Sequence, residues 1–287
     1  MKTTLSYKLL KSLKRGLMKI DGPALDKLTK YILSQQVEGA AFADKTGKTD
    51  LYYTAFGWSL LHALKLPLDV SAATAYLESF DVAQLDLVHL SAYHKCKRLL
   101  LLMSGVKTPL LFLKSRFGWQ HTIDLPLPPS GTPYDLFLTY GLLEDAHQKM
   151  PDASVWMQAL ELYQLETGGF SNIKKGFFFS TNATASALMV LGQVNGFKSN
   201  GQVTTLHEKQ ADCGGFYAVD EALMPDLLST ATALFVLGCY HCKPNEATAD
   251  FIEAHWNEQS GGFSATLLED SSDIEYTFYG ILALGML

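Results

Sequence analysis

Two carboxylic acids, Asp273 and Glu275, stand at the head of an apolar run that ends at Gly285. Beside apolar walls a carboxyl group resists ionisation, and the protonated acid can donate to an alkene or a leaving group. The plainer reading is that Asp273 caps a helix and Glu275 complements its dipole. Asp50, Asp135 and Asp226 occupy comparable places and read as caps. His89, His94 and Cys96 interrupt another apolar segment. His89 and Cys96 share one helical face, where a satisfied core histidine competes with a ligand. Cys239-Tyr240-His241-Cys242 has the residue types of a metal site but no second pair at zinc spacing, which leaves ordinary core or surface cysteines. Lys45 with Lys48, and Lys174 with Lys175, offer charge to a diphosphate, although surface lysine pairs ordinarily serve solubility. No phosphate-cradling glycine loop or dinucleotide fingerprint occurs.

A repeat carries these residues. Gln164-Leu-Glu-Thr-Gly168-Gly169-Phe170 leads to Thr184, Gln210-Ala-Asp-Cys-Gly214-Gly215-Phe216 to Thr230, and Asn257-Glu-Gln-Ser-Gly261-Gly262-Phe263 to Thr277. Phe to Thr is 14 residues each time, and the threonines lie 46 and 47 apart. A fixed period of that size marks a repeat architecture. Gln35-Gln-Val-Glu-Gly39-Ala-Ala-Phe42, ahead of Asp50 and Thr54, is a degenerate copy.

Taking Thr54, Leu90, Thr139, Thr184, Thr230 and Thr277 as equivalent predicts six hairpins. Each pairs an amphipathic outer helix with a buried inner one. Later outer helices are expected near 70–80, 109–117, 153–165, 201–210 and 246–256. One hairpin cannot cover its inner helix, so neighbours must stack, and a consistent curve closes them into a ring. The glycines are expected to end each outer helix at positive φ, and the following Phe to plug the gap between hairpins. The proline-rich loop 118–133 reads as a lid or rim. The expectation is all-α: a single (α/α)6 toroid over residues 23–287, with an extra N-terminal helix in residues 1–22.

That first segment carries six basic residues and no acid within residues 1–19. Its leucines follow helical spacing, so it reads as a basic amphipathic helix, docked on the ring from outside or touching anionic headgroups as a peripheral membrane contact. A net charge of −6 argues against a nucleic-acid binder. Four cysteines without the spacing of a disulfide framework point to a reducing, cytoplasmic setting.

Gln-x-x-x-Gly-Gly-Phe, then Asp-x-x-x-Thr and an Ala/Leu-rich helix, resembles the repeat of protein prenyltransferase β subunits. It is also similar to the Gln-Trp repeat of squalene and other triterpene cyclases. The resemblance covers about Pro23 to Leu287 and is most specific in the last three repeats. It implies inner helices around an apolar funnel whose mouth lies at their N-terminal ends. The implied ligand is an isoprenoid or acyl chain, and a protein partner subunit is a further implication. The implied chemistry is that of a prenyltransferase-like transferase or a cyclase. A non-catalytic toroid that binds a lipid carrier or a partner is the alternative, and a carbohydrate-active barrel a third.

Two departures qualify this. Prenyltransferase β subunits bind zinc through an Asp-x-Cys and a His just before the last Thr. Here those places hold Asp226-x-Leu228 and Tyr276, so the resemblance implies no zinc and no other cofactor. Triterpene cyclases protonate an alkene with Asp-x-Asp-Asp-Thr, for which this chain has Asp273-Ile-Glu275-Tyr276-Thr277. Asp273 and Glu275 are the acids to back. Tyr52, Tyr53, Phe56, His89, Tyr134, Phe137, Asp226, Leu228, Tyr276 and Tyr279 are the residues expected around the funnel. Aromatic walls suit an isoprenoid and stabilise a carbocation.

Overall fold

The computed structural model describes residues 3–105, 125, 129–194 and 201–287. The outer helix expected at 109–117, and most of the 118–133 loop, lie outside these residues. Among the described residues there are twelve α-helices and only two-residue strands. They are α1 (Leu5–Leu17), α2 (Gly22–Ser34), α3 (Leu51–Leu64), α4 (Val70–Glu78), α5 (Leu87–Met103), α6 (Pro133–Asp145), α7 (Ala153–Glu161), α8 (Thr181–Leu191), α9 (Gln202–Glu208), α10 (Leu227–Cys239), α11 (Thr248–Ala254) and α12 (Ile274–Leu284).

The inner helices close a ring. Helix α3 packs on α5, α5 on α6, α6 on α8, α8 on α10, α10 on α12, and α12 returns to α3. Helices α2, α4, α7, α9 and α11 lie outside, each against the inner helix that follows it. This is the (α/α)6 toroid read from the repeat. Helices α3, α8, α10 and α12 are apolar on nearly every side, and only burial on every side satisfies such a helix.

The repeat motif has a hydrogen-bonding cause. The Oγ1 of Thr54, Thr184, Thr230 and Thr277 accepts the backbone N–H of Phe42, Phe170, Phe216 and Phe263 at 3.0, 2.9, 2.9 and 3.2 Å. Each bond satisfies a buried donor and pins the Phe ring between hairpins, where all four rings are buried. The bond spans 14 residues in the last three copies and 12 in the first, so it holds the Phe-to-Thr spacing within a narrow range. The glycines do a different job from the one expected. Outer helices end at Ser34, Glu161, Glu208 and Ala254, several residues earlier. Gly168, Gly214 and Gly261, at φ 95°, 93° and 80°, instead turn short antiparallel bridges such as Gln164–Phe170 and Gln210–Phe216.

Caps start the inner helices. Side chains of Asp50, Asp86, Ser180, Asp226 and Asp273 each accept the backbone N–H three residues on, at 2.7–3.3 Å. Asp135 is the exception to its expected role. Thr132 caps α6, and Asp135 answers from the third position as the second half of a capping box.

Helix α1 packs on α12, α3 and α6, all inner helices, rather than on the outer layer. Gly16 and Gly285 let it approach closely: a Cβ on Gly16 would sit 2.0 Å from the Ile281 carbonyl oxygen. At its other end the Leu5 N–H donates to Glu144 and the Ser6 hydroxyl to Asp145, both at 2.6 Å. Gly285, Glu144 and Asp145 all lie at helix C-termini, so α1 forms a floor across that end of the ring. A basic helix suits the partial negative charge there. Lys11, Lys14 and Arg15 face outward. Among the described residues no helix is long and apolar enough to cross a membrane.

Candidate active site at the toroid mouth

Glu275 lies in the first turn of α12, at the ring end opposite the floor. Its side chain accepts a hydrogen bond from the Tyr52 hydroxyl at 2.9 Å, and the residue is only 9% exposed. The Tyr53 hydroxyl is near enough to act on the same carboxyl, and the Tyr134 and Tyr279 hydroxyls come close to that of Tyr52. Helices α6 and α12, which carry Tyr134 and Tyr279, lie on opposite sides of the ring. Their meeting over Tyr52 therefore places the cluster on the axis. Phe56 completes it, with its ring 4.7 Å from Tyr52, 4.8 Å from Phe278 and 5.6 Å from Tyr279.

Burial raises the Glu275 pKa, and the nearby Asp273 charge adds to this against the pull of the Tyr52 and Tyr53 hydrogen bonds. Burial also drives Tyr52 and Tyr279 far above the usual phenol range, so both remain neutral donors. The arrangement is a protonatable carboxyl packed among aromatic side chains. Such a group can release a proton into a site where aromatic faces are the main stabilisers of positive charge.

Asp273 is otherwise engaged. It caps α12 through the Tyr276 N–H at 2.8 Å and pairs with Lys45 at 3.4 Å. Burial raises its pKa, and the cap and Lys45 work against that rise. Lys45 also reaches Glu269 at 3.5 Å and lies 5.0 Å from the centre of the Tyr276 ring. The sequence offers Lys45 to a diphosphate, but in the structure Glu269 and Asp273, more than two hundred residues away, occupy it.

A cleft of about 320 Å³ opens beside the cluster, lined by Lys45, Asp50, Tyr52, Tyr53, Val88 and His89. His89 belongs to this rim and not to the core. Its Nδ1 lies 2.8 Å from Asp86 and its Nε2 3.6 Å from Asp50. Burial pulls its pKa down, but the two carboxylates outweigh that and leave it raised. Cys96 shares the helix yet is fully buried in the core, its thiol pushed up by desolvation.

Asp226 caps α10, accepting the Ser229 N–H at 2.7 Å and the Ser229 hydroxyl at 2.8 Å. Leu228 follows it, half-buried, and Tyr276 has a phenol pushed up to about 12, mainly by burial. One engaged carboxylate, one alkyl chain and one neutral phenol do not suit a zinc ion. Among the described residues no three His, Cys, Asp or Glu side chains gather in a way that could hold a metal. Cys239, His241 and Cys242 lie at the floor end of α10.

Phe137 is placed lower. It faces a second chamber, of about 190 Å³, between the aromatic cluster and α1. Leu5, Leu9, Leu10, Leu99 and Phe235 share its walls with Lys95 and Arg98. Sequence analysis missed this chamber. The available signal was three cations, Lys95, Lys97 and Arg98, on a helix that should be buried.

The model of the prenyltransferase alpha-alpha toroid domain matches residues 8–93 and 136–287. The chain belongs to this prenyltransferase toroid family. No curated protein matches it. In this prenyltransferase toroid the three loops that precede α8, α10 and α12 carry exposed apolar residues at the mouth end: Ile173, Phe177 and Phe178, then Leu223, then Leu267 and Leu268. Phe177 is 90% and Leu223 96% exposed. On the side of α8, α10 and α12 the rim is therefore apolar, whereas Lys45, Asp50 and His89 line it on the side of α3 and α5.

Proposed function

We propose that this prenyltransferase-type toroid binds an isoprenoid or comparable apolar chain at its centre, with Glu275 as the proton donor at the mouth. The observation that carries the reading is the buried Glu275–Tyr52 pair within a ring of aromatic side chains. A protonated Glu275 would deliver its proton to an alkene carbon, leaving a carboxylate on the enzyme and a tertiary cation on the chain. Tyr52, Phe56 and Phe278 present π faces to that cation. Delivery to the oxygen of a leaving group needs the same acid. With a capping carboxylate at Asp226, an alkyl chain at Leu228 and a neutral phenol at Tyr276, this reading gives zinc no role.

A second reading has its own support. The apolar rim at Phe177, Phe178, Leu223 and Leu268 suits a partner protein seated over the mouth, with the toroid acting as a binding module.

Native mass spectrometry with lipid extraction tests the first reading, followed by incubation with polyprenyl alcohols and diphosphates. A co-purifying chain, and turnover lost in Glu275→Gln with binding kept, are the expected results. Glu275→Gln at full turnover would remove the acid role, and a purified protein that takes up no chain would remove the ligand class in favour of the partner reading.

A further inference from the structure

The lower chamber is not simply an extension of an apolar funnel. Its walls are Leu5, Leu9 and Leu10 from α1, Leu99 from α5, Phe137 from α6 and Phe235 from α10, and Lys95 projects among them. Its charges do not balance. Arg98 pairs with Asp145, and Asp145 also accepts the Ser6 hydroxyl at 2.6 Å. Lys95 makes no hydrogen bond or ion pair among the described residues, although Asp145 is near enough to act on it at longer range. His94, on the same helix as Lys95, and Tyr7 are the other titratable groups in the lining. Lys95 is half-buried and has no ion partner in a largely apolar chamber, and this desolvation lowers its pKa. A fold that needed only an apolar chamber would be better served by methionine at this position. The chamber thus presents one unpaired cation among several apolar walls, together with Ser59 and Ser91, and lacks one anion.

We infer that the chamber is a binding site for an amphiphile with a single anionic head, carboxylate or phosphate, that pairs with Lys95 while its chain lies along the leucine and phenylalanine walls. Size limits the chain. A dry cavity of roughly 150 Å³ holds benzene, and this one measures about 190 Å³, so a segment of about eight carbons is the fitting scale. The inference rests on the toroid centre as a chain-binding space, and is independent of proton transfer at Glu275.

Calorimetric titration with octanoate, octyl phosphate and octanol tests it on the full chain. Octanoate or octyl phosphate should bind at least about tenfold more tightly than octanol, the scale of a hydrogen bond to a charged group. Whichever anion binds more tightly identifies the head. Lys95→Met should equalise the anion with octanol while keeping octanol affinity, and should melt no lower than wild type, because it removes an uncompensated charge. Lys95→Arg should restore part of the preference. An undiminished preference in Lys95→Met overturns the inference. Equal wild-type affinity for octanol and both anions also overturns it, yet leaves the chain-binding reading standing; failure of all three ligands to bind overturns both.

Discussion

The two ends of the inner ring solve the same problem with opposite charges. At the mouth, Glu275 is an acid held in apolar surroundings and quieted by the Tyr52 and Tyr53 hydroxyls. At the floor, Lys95 is a base held in apolar surroundings with no such relief, beside an Arg98–Asp145 pair that is complete without it. Desolvation disfavours the charged form of each, raising one pKa and lowering the other. A satisfied buried group reads as machinery already assembled. An unsatisfied one reads as half of a pair, and the difference decides which end awaits a ligand's charge.

Breaking the floor itself should have the largest effect. Gly16→Val would drive a side chain into the Ile281 carbonyl oxygen and detach α1 from α12. A loss of about 3 kcal/mol in urea unfolding is expected, with new protease cleavage after Lys14 or Arg15. A loss near zero would show that α1 is not docked as described. The Tyr52–Glu275 contact belongs to the other end of the ring and should survive in the folded fraction.

Next comes the element that shapes the mouth. Thr230→Val keeps the shape of the side chain but leaves the buried Phe216 N–H without its acceptor. About 2 kcal/mol should be lost. Thr277→Val should behave alike, since Phe263 depends on it in the same way. Unchanged stability in both would mean that the spacing of the repeat reflects packing of the Phe rings alone.

This threonine shows why so much of the fold was legible. Short-range physics wrote the repeat: a cap, a glycine turn, a Phe and an acceptor a fixed distance away, copied along the chain. Glu275 was also legible, as a carboxyl two places beyond a cap, but its inward aim was not. That depends on Tyr52 and Tyr134, from helices that only ring closure brings together. The floor was hidden for the same reason. Nothing local in residues 5–17 says that their apolar face meets the C-termini of inner helices, and the outer-layer placement followed from amphipathicity alone. Asp135 was misplaced by one turn because Thr132 and Pro133 make a stronger helix start than the repeat template allows for. The glycine phrase was given to the helix because a bridge of two residues leaves almost no pattern.

The pH dependence of stability separates the two ends by sign. Glu275 has a folded pKa above its ordinary value of 4.5. Its contribution is fully present below that value and is lost as pH rises through the folded pKa, because the native state then holds a proton that the unfolded chain has released. Lys95 runs the other way: below its lowered folded pKa the cost of charge is present in full, and stability returns as pH climbs towards 10.5. Glu275→Gln should flatten the loss above pH 4.5 in part, since Asp226 and Asp273 are raised too. Lys95→Met should flatten the alkaline rise alone, and in part, since Lys97 is lowered too. Thermal melts across pH, compared between the two variants, check this, and exchanged or identical profiles would contradict the assignment of charge to each end.

The smallest expected effect sharpens the comparison most. Tyr52→Phe removes one hydroxyl and little packing, so stability should fall by only about 1 kcal/mol. The Tyr52 hydrogen bond favours ionised Glu275, so its loss should move the Glu275 titration further upward, and the pH window of lost stability should move with it. Infrared difference spectra of the protonated carboxyl band, assigned with Glu275→Gln, give the midpoint directly. An upward shift shows that the mouth quiets its acid through Tyr52, the relief that Lys95 lacks. A downward shift, or a midpoint at an ordinary carboxylate value in both proteins, would mean that water reaches Glu275. The mouth would then be open and polar, and the contrast with the floor would lie in access to solvent rather than in satisfaction of charge.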